Sequence, residues 1–206
     1  MLDNTLPDSN VISCVVAHNS EWISFFELTP ELMRQRLKSG ELFLGVYKQG
    51  SLVGYLETMS HHVEIPNMPV NLGKLDAETV IELAYYVSLH LRGNYFTHAP
   101  NGLWPNKPVN ANVIRFVSIN VLPQERDFGY GGQMIQHMKM LMSKPKEERP
   151  EQLRNIEVSL TDTPVKPLPQ RFHLKYGALD TQYIEQGFRP GYDMPDIKRF
   201  CYPATF

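Results

Sequence analysis

Apolar residues along this chain repeat with two periods, and the places where the period changes mark out its elements. Val11 to Ala17 (VISCVVA) is a run of β-branched and apolar residues that predicts a first strand. Asn19 or Ser20 then caps a short helix carrying Trp22, Phe25 and Phe26. Thr29-Pro30 starts another, with Leu28 and Met33 as its staple and Gly40 just past its end. Glu41 to Tyr47 and Ser51 to Met59 predict two strands joined at Gln49-Gly50. A helix is expected from Asp76 to Leu91, capped by Asp76, stapled by Leu75 and Val80, with Val80, Ala84, Val87 and Leu91 on one face. Val113 to Val121 is β-branched and apolar, and Pro123, which cannot donate to a ladder, stops it. Met134, Ile135, Met138, Leu141 and Met142 then recur with the spacing of an amphipathic helix.

Further on the pattern weakens. Arg154 to Thr161 alternates as a strand does. Thr163 to His173 is rich in proline and reads as irregular. Ala178 to Gln186 reads as a helix ending at Gly187, a suitable left-handed C′ residue, followed by closing strands at Phe188–Pro190 and Asp196–Tyr202. Residues 1–10 are polar and expected to fray. The order β, αα, ββ, α, β–loop–α, β, α, ββ makes the chain an α/β (α+β) protein. A single domain over 1–206 is expected, with a mixed sheet of about six to seven strands flanked by helices.

Composition narrows the function classes. A length of 206 residues suits one well-buried domain, and 42% hydrophobic with 20% charged residues is ordinary for a soluble protein. A net charge of −2 has no basic footprint, which argues against nucleic acid as partner. No apolar run approaches a membrane span, and MLDNTLPDSN lacks the regions of a signal peptide, so a cytoplasmic location is expected. Cys14 and Cys201 read as free thiols in a reducing compartment. The His residues show no ligand spacing, and no metal is assigned. Lys144, Lys146, Glu147, Glu148 and Arg149 read as a solvated run. Tyr85, Tyr86, Tyr95, Phe96 and Trp104, the last three in the long loop at 92–112, either line an acceptor pocket or cover the sheet.

The chemistry centres on Val113 to Met142. Between its strand and helix lies Arg126-Asp127-Phe128-Gly129-Tyr130-Gly131-Gly132. A strand, a glycine turn and a helix expose backbone N–H groups at the positive end of the helix dipole, which favours an anion such as phosphate. Glycines remove the Cβ atoms that would keep a phosphate from the backbone, and Arg126 adds a cation. The alternative is a tight turn that uses glycine only for its geometry. The segment is not a Walker A loop, since no Lys-Ser or Lys-Thr follows, and its glycine spacing is not that of a dinucleotide fingerprint.

Pro123, Arg126, Gly129 and Gly131 resemble the acyl-CoA loop of the GCN5-related N-acetyltransferase (GNAT) superfamily, and Tyr183-Ile184-Glu185-Gln186-Gly187-Phe188 resembles the Tyr-x-x-x-Gly-Phe ending of that family's last helix. Asp127 departs from the pattern, where many members carry Gly, and the stretch at 162–172 is longer than usual. The resemblance implies splayed central strands and transfer from acetyl-CoA, or another acyl-CoA, to an amine of a small molecule or peptide. It implies pantetheine contacts at Ile119, Asn120 and Val121. The pyrophosphate would lie on Arg126, Asp127, Phe128, Gly129, Tyr130, Gly131 and Gly132, and Tyr183 would protonate the leaving sulfur. It also allows a homodimer. Many relatives carry a base on the central strand, but here that strand has no carboxylate; Glu57, His61 and His62 are the candidates, or no base at all. That gap motivates a competing reading, a non-catalytic acyl-CoA-binding regulatory module. A third is a protein that binds some other phosphorylated ligand at the loop.

Overall fold

The computed structural model describes residues 42–49, 51–66, 75–92, 108–186 and 196–203, together with the backbone of 9–13. In chain order its elements are β1 (Ser9–Ser13), β2 (Phe43–Lys48), β3 (Ser51–His61), α1 (Ala77–His90), β4 (Val113–Val121), α2 (Tyr130–Ser143), β5 (Val158–Pro164), α3 (Pro167–Lys175), β6 (Leu179–Glu185) and β7 (Ile197–Tyr202). The expected helices around Trp22 and Met33, Gly50, most of the 92–112 loop, Gly187 and the strand at 188–190 lie outside the described residues. So does Cys14.

The strands form one sheet in the order β1-β2-β3-β4-β5-β7-β6. Every neighbouring pair is antiparallel except β4 and β5. A parallel pair needs a crossover, and α2 supplies it. The predicted stripe of α2, Met134, Ile135, Met138, Leu141 and Met142, is buried, and it packs with Leu44, Leu56, Ile114, Phe116 and Phe200 on one face of the sheet. Phe172 of α3 and Tyr176 at its C-terminal end join the same layer. The opposite face is covered by α1, whose Ala84, Val87 and Leu91 meet Val113, Val158, Leu160 and Cys201. As expected, Asp76 caps α1, its carboxylate accepting from the Thr79 N–H at 2.9 Å. Among the described residues, no helix is long and apolar enough to cross a membrane.

Two expectations are reversed, and they are linked. Residues 163–173, read as irregular, hold most of helix α3, and residues 178–186, read as a helix, contain strand β6. Pro167 and Pro169 fall in the first turn of α3, where backbone N–H groups have no helical acceptor and a missing one costs nothing. This helix ends at the left-handed Gly177, at φ 82°. In β6, Thr181, Tyr183 and Glu185 are buried and alternate with exposed neighbours, which is the period of a strand. The connector before β5 also does more than predicted. Arg149, assigned to a solvated run, donates to the Lys144 carbonyl at 2.9 Å and to the Ile156 carbonyl at 2.9 Å. The strand consequently starts at Val158, after this anchored turn, and not at Arg154.

Candidate active site

The site begins where two strands part. The β4–β5 ladder pairs Val113 with Val158 and ends at Phe116 with Thr161, while β4 runs on to Val121. Opposite β3, Glu57 pairs with Ser118 and Thr58 with Phe116, so Val117 is the extra residue of a β-bulge. Bulges twist a strand away from its neighbour, and this one lies at the end of the parallel ladder. Leu122 donates its N–H to Val53 on β3. By alternation, the backbone groups of Ile119 and Val121 face the opened side, away from β3.

Beyond β4 the chain turns through a single 3-10 turn at Pro123–Glu125 into the glycine segment. Asp127 and Gly129 both have left-handed backbones, at φ 72° and 82°. Gly129 is the N-cap of α2 and contributes no side-chain cap. The first helical bond runs from the Gln133 N–H to the Gly129 carbonyl. The N–H groups of Tyr130, Gly131 and Gly132 therefore lie ahead of the first helical acceptor, at the positive end of the dipole. Arg126 folds back, its Nε donating to the Val121 carbonyl at 3.3 Å.

A cleft of about 540 Å³ joins these features. One wall is β4 from Phe116 to Ile119 with Val121, and the floor is Arg126, Asp127 and the start of α2. The far wall is Thr161 to Pro164 of β5 with Phe172, His173 and Lys175 of α3 and Tyr176 just after it. Two glycines turn out to serve helix packing. A Cβ on Gly132 would fall 2.0 Å from the Tyr176 ring, and one on Gly131 would fall 3.2 Å from the Phe172 ring. Their missing side chains let α3 close on α2 and complete the cleft, whereas Gly129 is needed for its backbone conformation. Gly132→Ala is expected to displace Tyr176 and destabilise by about 1–3 kcal/mol. Calorimetric unfolding of the variant checks this; unchanged stability would show that Tyr176 does not need the space left by Gly132.

The charges around the cleft are mostly matched. Glu125 is paired with Lys48 at 3.0 Å, and Lys48 also lies over the Phe128 ring. Asp162 is paired with two arginines on the α1 side, Arg199 Nε at 2.5 Å and Arg115 Nη1 at 3.3 Å. Among the described residues, Arg126 and Lys175 line the cleft without an ion pair, and Asp127 lines it as well. Asp127→Gly relieves a left-handed non-glycine residue. We expect it to raise stability by about 0.5–1 kcal/mol, readable by thermal unfolding.

No family model matches the sequence, and no curated protein does. Solved structures do match its fold. The ribosomal-protein-S18-alanine N-acetyltransferase of Escherichia coli aligns over 96% of this chain and 95% of its own, with a TM-score of 0.55 at 9% identity. Arabidopsis thaliana NAA60, solved in complex with a bisubstrate analogue, aligns over 94% and 97% with a TM-score of 0.53 at 8% identity. The yncA protein of Salmonella typhimurium, solved with its cofactor acetyl-CoA, aligns over 96% and 94% with a TM-score of 0.50 at 10% identity. The fold is that of the GNAT superfamily.

Against the GNAT expectation, the residues sort unevenly. Ile119, Val121, Arg126, Asp127, Gly129, Tyr130, Gly131 and Gly132 line the cleft. Asn120 does not; its side chain turns to the other face, donating to Tyr55 Oη at 2.7 Å and to Ser118 Oγ. Phe128 is half-exposed beneath Lys48 and also lies outside the lining. Tyr183 is on a strand instead of a helix and does not line the cleft. Its hydroxyl donates to Glu185 at 2.9 Å, Arg199 lies over its ring at 5.0 Å, and Tyr85 meets it edge-on. Burial, then the Glu185 contact, pushes its pKa up to about 12. Of the base candidates, Glu57 is buried in β3 opposite Ser118, and His62 is exposed with Nδ1 3.0 Å from the Asn110 carbonyl. Burial, with the nearby Arg115 and Arg199, pushes His61 down to about 3, too weak to take a proton near neutrality. Sequence reasoning missed the α3 wall altogether. Its signal was the pair Phe172 and Tyr176, four residues apart and followed at once by Gly177.

Proposed function

We propose that this chain is an acyl-CoA-dependent N-acyltransferase that moves the acetyl group of acetyl-CoA directly to an amine. One observation carries the reading: the opened edge of β4 and the uncapped start of α2 are two ends of a single cleft. An acyl-CoA has a matching shape, a diphosphate at one end and an amide-bearing arm at the other. The N–H groups of Tyr130 to Gly132 suit the diphosphate, and the backbone groups of Ile119 and Val121 suit the amides. Arg126 then trades its bond to the Val121 carbonyl for the phosphates. The solved relatives with acetyl-CoA and with a bisubstrate analogue support the same cosubstrate and an amine acceptor, a small molecule or a peptide.

The test is thermal stability with and without acetyl-CoA, beside Gly129→Asp. Aspartate tolerates the left-handed backbone but sets a carboxylate in the cradle. Ligand at ~100 times its dissociation constant adds about 2.7 kcal/mol, or about 5–10 °C for a chain of this size. A shift in the wild type that is lost in the variant supports the reading; no shift in a folded wild type ends it. A second reading, a module that binds acyl-CoA without catalysis, is favoured by Tyr183 lying outside the cleft lining. Acetyl transfer to any amine by the wild type, lost in Gly129→Asp, eliminates it.

A further inference from the structure

A cleft that takes an anion has to contend with the carboxylates on its own walls. Glu125, Asp127 and Asp162 all line this one. Asp162 is held by Arg199 and Arg115. Glu125 closes the 3-10 turn after β4, immediately before Arg126 and the glycine segment. Left as a bare negative charge there, it would repel a phosphate at the start of α2.

Its partner comes from the far side of the sheet. Leu44 and Val46 of β2 are buried with the α2 stripe, and Lys48 is the next residue in that alternating row. Lys48 therefore projects from the face on which residues 123–129 lead into α2. Its ammonium donates to both carboxylate oxygens of Glu125, at 3.1 and 3.0 Å, across a sequence separation of 77 residues. The same Nζ lies 5.3 Å from the centre of the Phe128 ring, so one side chain touches the segment on either side of Arg126 and Asp127. Hydrogen bonding to Glu125 raises the Lys48 pKa, and the ammonium keeps its charge across the neutral range. The two side chains are 36% and 16% exposed, so Glu125 sits where solvent and salt screen it less than they would on open surface.

We propose that Lys48 is a positioning residue for the anion end of the cleft: by neutralising Glu125 it leaves the loop before α2 able to accept a phosphate. This rests on the acyltransferase reading. Affinity should then follow the net charge of the pair. Isothermal titration with acetyl-CoA should find Lys48→Met about three- to tenfold weaker than wild type, with a larger deficit at low salt than at high salt. The double variant Lys48→Met with Glu125→Gln, whose pair is neutral again, should return to within about twofold of wild type, and Glu125→Gln alone should bind more tightly. S-acetylpantetheine, which carries the arm and no phosphate, should bind wild type and Lys48→Met alike, whereas a cleft merely loosened by the substitution would lose both ligands together. Lys48→Met that binds acetyl-CoA as the wild type does, or a double variant as weak as the single one, overturns the role of Lys48. If a folded wild type does not bind acetyl-CoA, the acyltransferase reading itself falls. Should Lys48→Met not fold, Glu125→Gln decides, and an affinity no higher than wild type overturns the proposal.

Discussion

Asp162→Ala is expected to lower the unfolding free energy by about 3–5 kcal/mol, the largest effect of any single substitution proposed for this protein. Asp162 sits just past the last β4–β5 pair and opposite Arg199 in the β5–β7 register. Its carboxylate is shared by Arg199, 0% exposed, and Arg115, 1% exposed. Arg199 also donates to the Ser88 carbonyl at 3.0 Å, so one carboxylate helps hold β4, β5, β7 and α1 together. Removing it leaves two guanidiniums buried side by side, a penalty far above the value of an exposed pair. Asp180→Ala, which breaks the more exposed pair with Lys198, should cost under about 1 kcal/mol. Urea unfolding of the two variants provides the comparison. Equal losses would mean that the cluster at the splay is no more than another surface salt bridge.

Acid should unfold this protein early, and His61 and His173 are the reason. Their folded pKa values are held down to about 3 and about 4, whereas the unfolded chain takes up a proton near ~6.5 at each. Below pH ~6.5 the unfolded state binds more protons, so stability falls as pH falls, by roughly 1.4 kcal/mol per unit for each histidine, until the folded values are reached. By pH 5 the two together remove about 4 kcal/mol, a large share of the 5–15 kcal/mol of an ordinary domain. The His61 Nε2 is also buried without a hydrogen-bond partner. His61→Leu should therefore be at least as stable as wild type at pH 7 and lose stability less steeply between pH 6.5 and 4.5. A variant with the wild-type slope would remove His61 from this account.

Arg115, Asp162 and Arg199 show why parts of the site stayed hidden in the sequence. Each stands in an apolar strand, from which a charged residue reads as facing solvent; only the pairing of three strands and α1 makes them neighbours. The α3 wall was hidden for a different reason. Pro167 and Pro169 argue against a helix when counted as helix breakers, and for one when placed in its first turn. That choice also decided the fate of Tyr183. Read in a helix at 178–186, Tyr183 resembles the family's sulfur-protonating tyrosine; in β6 it packs under Arg199.

What the sequence determined alone are the features whose causes are local. The stripe from Met134 to Met142, the Asp76 cap, the stop at Pro123 and the glycine segment after β4 depend on residues within a turn or two of each other. Each appears in the structure as expected. Tertiary structure decided what depends on distant chain segments meeting. The register that ends the β4–β5 ladder at Phe116, the closing of Tyr176 on Gly132, and the bond between His173 and Tyr202 are all of this kind. Backbone propensity and capping act over a few residues and leave a pattern in the chain, whereas packing and buried charge act between segments many residues apart, where no such pattern survives.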